Sequence, residues 1–523
     1  MVERIWSGDA TLWKTAEADR RSIENALGWL TIAERTAETL PDLQRFVSQA
    51  LPETDRVVVL GMGGSSLAPL VFSESFARPA GYPALEILDS TDPAAIEATA
   101  AASDPRRTLF IVSSKSGTTL EPNIFFDYFF DRVKKSLGPG GGAHFVVITD
   151  PGSALEKEAA RRMVRRVFPG DPRIGGRYSA LSNFGLVPAA LAGVDVGELL
   201  RRAATMAQSC RLENSENPGL QLGAAMGALA FAGRDKLTFS VGPPIARFGM
   251  WIEQLVAEST GKEGRGILPV EGEELGRPEA YGEDRFFVRI GRGSDEKQTG
   301  RIFDSLRQAG HPAVFCPIAE ALDLGGEMFR WEFATAVAGK ILGINPFDQP
   351  NVQEAKDRAN EILGGESRVE GRESRVGDGP DEETLRKLLD SLRPRDYFAI
   401  TAYVPSTSEN ENALNRTRLR VRDQRHVATT VGFGPRFLHS TGQLHKGGPD
   451  TGVFLQITAA QALDVPIPGK PDSFGRVIAA QAAGDLSALK SRGRRALSVH
   501  VHRIGPGLEQ LDAAVSGALS TLA

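Results

Sequence analysis

Among the acids of this chain, Glu258 is the best placed for chemistry. It shares a helical stripe with Trp251 and Leu255, in a segment that stops at Gly261 within the run ESTGKEGRG. That spacing turns the carboxylate toward the edge of an apolar core, a partly desolvated place suited to a base. Arg177 follows two glycines in GGRYSALSNFGL, so its guanidinium can approach backbone and substrate and stabilise a developing oxyanion. Lys356, in NPFDQPNVQEAKD, borders the apolar face of a helix expected to begin near Pro350. His439 and His445 occur together in FLHSTGQLHKGG. One of them suits proton transfer, and their spacing, with no further ligand cluster nearby, argues against a metal site. No nucleophile elbow of the hydrolase type is present.

Two further segments carry donors suited to an anion. GMGGSS, Gly61 to Ser66, closes an apolar run and precedes a helical segment, so its backbone N–H groups and the helix N-terminus favour a phosphate. A dinucleotide site is the competing reading, because Asp89 ends the next apolar run where a ribose-binding acid would stand; Ser66, however, replaces the third glycine of that fingerprint. SSKSGTTLEPN, Ser113 to Asn123, sets five hydroxyls and Lys115 at the mouth of another strand-to-helix turn, with Thr118 and Glu121 spaced as a capping box.

The elements that must position these groups follow from the apolar pattern. Short apolar runs at Val57–Leu60, Leu85–Leu88, Leu109–Val112 and Phe145–Ile148 alternate with amphipathic stretches, the signature of βαβ units in a parallel sheet. A second alternation starts at Lys236 and continues through Phe286–Ile290 and Ala313–Phe315, with helices near 244–258, 298–309 and 325–341. The expected organisation is an α/β chain with a helical segment over 1–50 packed on the outside and α/β domains over 51–205 and 206–363. A solvated linker follows over 364–383, where ESRV occurs twice, and then an α/β portion, 384–523, that completes the second domain.

With 523 residues the chain is long enough for a cleft between domains. Its 61 basic and 66 acidic residues, a net charge of −5 without long single-sign runs, make nucleic acid a poor partner. Two distant cysteines, Cys210 and Cys316, offer no disulfide framework, and the N-terminus has no secretory pattern, so a cytoplasmic location is expected. The stretch Gly219 to Gly233 is too short and too rich in glycine to span a bilayer and reads as a closely packed helix capped by Asn217.

Taken together, GMGGSS, SSKSGTTLEP, GGRYSALSNFGL, ESTGKEGRG, NPFDQPNVQEAK and FLHSTGQLHKGG resemble the motifs of the glucose-6-phosphate isomerase family. The resemblance implies two doubly wound sugar isomerase domains with substrate in the cleft between them. Ser114, Ser116 and Thr119 would hold the phosphate, with Ser65 and Lys115 lining the same pocket. Glu258 would be the base, Arg177 would steady an enediolate, and Lys356 and His439 would assist ring opening and proton movement. The implied reaction interconverts D-glucose 6-phosphate and D-fructose 6-phosphate with no metal or organic cofactor. Alternatives are a sugar-phosphate sensor without catalysis and an isomerase of another aldose 6-phosphate such as mannose 6-phosphate. Family members are typically homodimers in which the histidine serves the neighbouring subunit, so the resemblance implies that His439 acts in trans. In the usual family order the histidine motif precedes the lysine; here it follows both Lys356 and the linker, as in the isomerase half of fusions with transaldolase. This chain shows no barrel domain for transaldolase chemistry.

Overall fold

The computed structural model describes residues 1–292, 297–351, 358, 361–364 and 381–520. Lys356 and most of the expected linker lie outside the described residues.

Three all-parallel sheets flanked by helices make up the described chain, in keeping with the expected α/β class. The first contains β1 (Arg56–Leu60), β2 (Ala84–Leu88), β3 (Thr108–Ser113), β4 (Phe145–Thr149) and β5 (Arg166–Pro169) in the order β2-β1-β3-β4-β5. The second contains β6 (Lys236–Val241), β7 (Leu268–Val270), β8 (Arg285–Gly291) and β9 (Ala313–Pro317) in the order β7-β6-β8-β9. The third has β10 (Tyr397–Tyr403), β11 (Ala428–Phe433), β12 (Gly452–Ala459) and β13 (Arg495–Val501) in the order β11-β10-β12-β13. Among the described residues the C-terminal strands pair only with one another. The reason lies in β10: its burial on both faces makes it a central strand, with β11 and β12 on either side.

In each sheet the strand order reverses beside its first strand, and this switch point leaves a crevice at the C-terminal strand ends. In the first sheet the crevice lies between the loops after β1 and β3, the two segments read as anion-binding. Alternation along the strands divides the core: Val57 and Val59 face one apolar cluster, Val58 and Leu60 another. The first cluster continues into Leu237, Phe239, Val288 and Ile290, so the first two sheets share a core. The third sheet has its own on one face, around Phe398, Ile400, Leu455 and Leu511. Its other face, through Tyr397, Ala399 and Phe454, packs with Leu268 and Val270 of β7 and with Ala257.

The N-terminal segment is helical as expected, but it does not merely lie outside. Ile5, Trp13 and Trp29 enter the shared core because their apolar surface is too large to leave on the face of short helices, and Trp13 Nε1 donates to the Ala336 carbonyl at 2.9 Å. The glycine-rich helix Pro218–Phe231 is capped by Asn217, which accepts from Leu220 N. A Cβ on Gly223 would stand 2.4 Å from the Ala334 carbonyl, so only glycine permits this close approach to the helix Leu324–Leu342. Among the described residues no helix is long and apolar enough to cross a membrane.

Candidate active site

The helix Phe248–Thr260 anchors Phe248, Trp251, Ile252 and Leu255 in the shared core and ends at Gly261. Glu258, in its last turn, is only 5% exposed. Gln254, one turn earlier on the same face, donates through Nε2 to Glu258 Oε2 at 3.2 Å and to the His439 carbonyl at 2.7 Å.

Arg177 enters from the first domain, on the turn Gly176–Tyr178, and its Nη1 stands 3.8 Å from Glu258 Oε2. Its own donors are committed elsewhere: Nε to Ser259 Oγ at 2.7 Å, Nη1 to Gln349 Oε1 at 2.7 Å, and Nη2 to the carbonyls of Pro346 and Asp348, each at 2.9 Å. The guanidinium is thus a fixed positive charge beside the carboxylate without locking it in a bidentate pair. Lys262 braces the same loop, reaching Asp348 Oδ1 at 2.6 Å. Burial, reinforced by the Arg177 charge, draws the Lys262 ammonium down to about 8 against the pull of Asp348.

His439 arrives on the turn Arg436–His439 after β11. Its Nε2 is 3.1 Å from Glu121 Oε1, and the backbone of Gly63 packs against it: a Cβ there would lie 2.9 Å from the His439 Cβ. The turn is tied to the end of β2 by Arg436, whose Nε and Nη2 both meet the Asp89 carboxylate at 2.8 Å. The acid spaced like a ribose ligand is therefore an ion-pair partner. The resemblance implied that His439 serves a neighbouring copy; here it meets Glu121 of its own chain, because the third sheet folds back onto the first two. His445 is separate, buried against Tyr397 Oη at 2.9 Å through Nδ1, with its pKa held far below the usual imidazole range by burial.

The anion loops converge on the same region. Gly64 approaches the Arg177 turn so closely that a Cβ would stand 2.2 Å from the Gly176 carbonyl. Ser65 and Ser114 are buried, and Ser114 Oγ has no hydrogen-bond partner among the described residues. Ser116 and Thr118 are exposed, with their hydroxyls 3.0 Å apart, and Thr119 is the N-cap of the helix Leu120–Leu137 without a side-chain capping bond. The expected Thr118–Glu121 capping box does not form: the helix starts one residue later, and the Glu121 carboxylate turns inward to His439. Lys115 points away from the hydroxyls, to the Asp150 carboxylate and the Asp171 carbonyl, where it ties neighbouring strand ends together.

Glu332, in the helix Leu324–Leu342, is a buried acid of another kind. Neither carboxyl oxygen has a partner among the described residues, and burial lifts its pKa well above 4.5. Among those residues no group of three or more His, Cys, Asp or Glu side chains is placed to hold a metal ion.

Sequence reasoning passed over Gln254, Gln349 and Gln481. Gln254 had a signal, its position one helical turn from Glu258; Gln481, on the helix Phe474–Ser491, had only its place among buried apolar residues.

A family model described as phosphoglucose isomerase matches residues 44–267. The chain is similar to a glucose-6-phosphate isomerase of Rubrobacter xylanophilus, 31% identical over 374 residues, which are 61% of this chain and 86% of that relative. It is also similar to one of Thermus thermophilus, 28% identical over 66% of this chain and 92% of the relative. Among solved structures, a hypothetical protein from Thermus thermophilus superposes with a TM-score of 0.59 at 26% identity, over 69% of this chain and 97% of that one. A glucose-6-phosphate isomerase from Chlamydia trachomatis shares the fold, with a TM-score of 0.51 at 22% identity over 72% of this chain and 79% of its own. The chain belongs to the glucose-6-phosphate isomerase family.

Proposed function

We propose that this chain interconverts D-glucose 6-phosphate and D-fructose 6-phosphate, with Glu258 as the base. The observation that carries the reading is the buried Glu258–Arg177 pair at 3.8 Å, in which a carboxylate free to take a proton faces a cation that cannot give one up. Moving a carbonyl between adjacent carbons requires one base within reach of both. Glu258 removes the proton from C2 of the open aldose, the electrons move into an enediolate, the O2 hydroxyl proton passes to O1, and the proton held by Glu258 returns at C1. Arg177, already fixed by its four hydrogen bonds, holds the charge that develops on the intervening oxygens without reorganising. Ser65, Ser114, Ser116 and Thr119 bind the phosphate and so position the reacting carbons. Lys115 supports that loop through Asp150. A sensor of sugar phosphates needs the hydroxyl loops alone, so the buried acid and arginine favour the enzyme.

The test is a coupled assay with fructose 6-phosphate carried out in deuterium oxide. Turnover with deuterium appearing at C2 of the product is expected, because the proton on Glu258 exchanges with solvent in some turnovers. Absence of turnover would overturn the reading.

A further inference from the structure

Behind His439 a line of hydrogen bonds runs across three separate parts of the chain. Glu121 lies in the first turn of the helix Leu120–Leu137, Thr91 follows β2, and Gln481 belongs to the helix Phe474–Ser491 beside the third sheet. All three are buried. Glu121 Oε1 receives two groups: His439 Nε2 at 3.1 Å and Gln481 Nε2 at 2.7 Å. Gln481 Oε1 in turn lies 2.8 Å from Thr91 Oγ1. The polarity of this line is fixed throughout. A carboxylate oxygen only accepts, so the Gln481 amide nitrogen faces it, the amide oxygen faces Thr91, and the Thr91 hydroxyl donates. For the same reason Nε2 of His439 carries its hydrogen.

Building on the isomerase reading, we propose that Gln481 is a positioning residue for opening the sugar ring. It aims the Glu121 carboxylate so that His439 is held as the tautomer with hydrogen on Nε2 and a lone pair on Nδ1. Ring opening breaks the bond between the anomeric carbon and the ring oxygen and moves one proton from the anomeric hydroxyl to that oxygen. An imidazole held in this way accepts the hydroxyl proton at Nδ1 and returns it to the departing ring oxygen, with no net gain or loss. Glu121 stabilises the imidazolium that exists between the two transfers. Gln481 touches no reacting atom; it acts through Glu121, from a part of the chain far in sequence from the base.

Two sugars separate this role from a merely structural one. D-fructose 6-phosphate must be opened, whereas 5-deoxy-D-fructose 6-phosphate lacks the hydroxyl that closes the ring and is already open. Gln481→Leu, close in volume, is expected to lower kcat on fructose 6-phosphate by about tenfold to a hundredfold, with KM within about twofold, and to leave kcat on the deoxy sugar unchanged. Thr91→Val removes one hydroxyl and is expected to give the same pattern at smaller amplitude, which keeps the test decisive where the first variant folds poorly. Equal losses on both sugars, or no loss on either, would overturn the assignment of Gln481. If the unsubstituted protein turns over neither sugar, the isomerase reading itself falls and takes this inference with it.

Discussion

The two sides of the site are held in opposite ways. On the base side, Glu258 and Arg177 stand between the first two sheets, and the guanidinium is pinned by four hydrogen bonds to backbone and neighbouring side chains. On the histidine side, one carboxylate oxygen orients the imidazole, and an amide from a third unit aims that carboxylate. On the proposed mechanism, the difference matches what each side has to do. Stabilising a new charge beside a carbonyl requires fixed dipoles and cations, whereas shuttling a proton requires only a fixed tautomer and reach. Damage to the base side should therefore stop every sugar, and damage to the histidine side only the closed ones.

The strongest way to break that distinction is Glu258→Gln, which is expected to lower kcat by about 10³-fold to 10⁴-fold on the closed and open sugars alike. Calorimetric binding of the phosphosugar should survive; an open sugar still turned over would erase the contrast. Next in size, Arg177→Lys loses the planar fork and should cost about 10²-fold to 10³-fold, again on both sugars by steady-state assay. The histidine side is sharpened by Arg436→Met combined with Asp89→Asn, a pair of changes that avoids leaving a buried acid unpaired. About a tenfold loss confined to the closed sugar is expected, corresponding to about 1.4 kcal/mol of barrier.

A smaller effect concerns pH. Lys262 loses its proton through about pH 8, which weakens its charge-assisted grip on Asp348 and the loop that receives Arg177. We expect kcat to fall severalfold above that pH and this limb to be absent from Lys262→Met. Because folding lowers this pKa from 10.5, the unfolded chain binds more protons between about 8 and 10.5, and this group makes stability rise with pH in that window.

The smallest effect on catalysis should come from Glu332→Gln, since that carboxyl has no hydrogen-bond partner among the described residues. Its folded pKa lies above 4.5, so the acid's stability is fully present below that pH and is lost as pH rises toward the folded value. The variant should therefore melt at a higher temperature than the parent at pH 8, with the gap closing toward pH 4.5 in calorimetric scans.

Much of the base side was readable from sequence because each part is a local pattern. β1 and β3 are continuous apolar runs, the Glu258 stripe has helical spacing, and the hydroxyl loops follow strands directly. β5 and β7 were not readable: one is the four residues RVFP, the other the three residues LPV, and each carries a proline. Which sheet the C-terminal strands join is a pairing between distant segments, and no local spacing encodes it. The same holds for Lys115, whose turn toward Asp150 depends on β4, and for the inward turn of Glu121. Gln481 had no sequence signal tying it to His439, since the contact between them passes through a residue hundreds of positions away.

The separate core of the third sheet bears on how such a site can be altered by descent or by design. Its interior around Phe398, Ile400, Leu455 and Leu511 can be repacked without disturbing the residues beneath Glu258 and Arg177. On the proposed mechanism the proton shuttle thus rides on a unit with two unlike faces: the far core is open to change, while the face that meets β7 and Ala257 keeps His439 in register with the base.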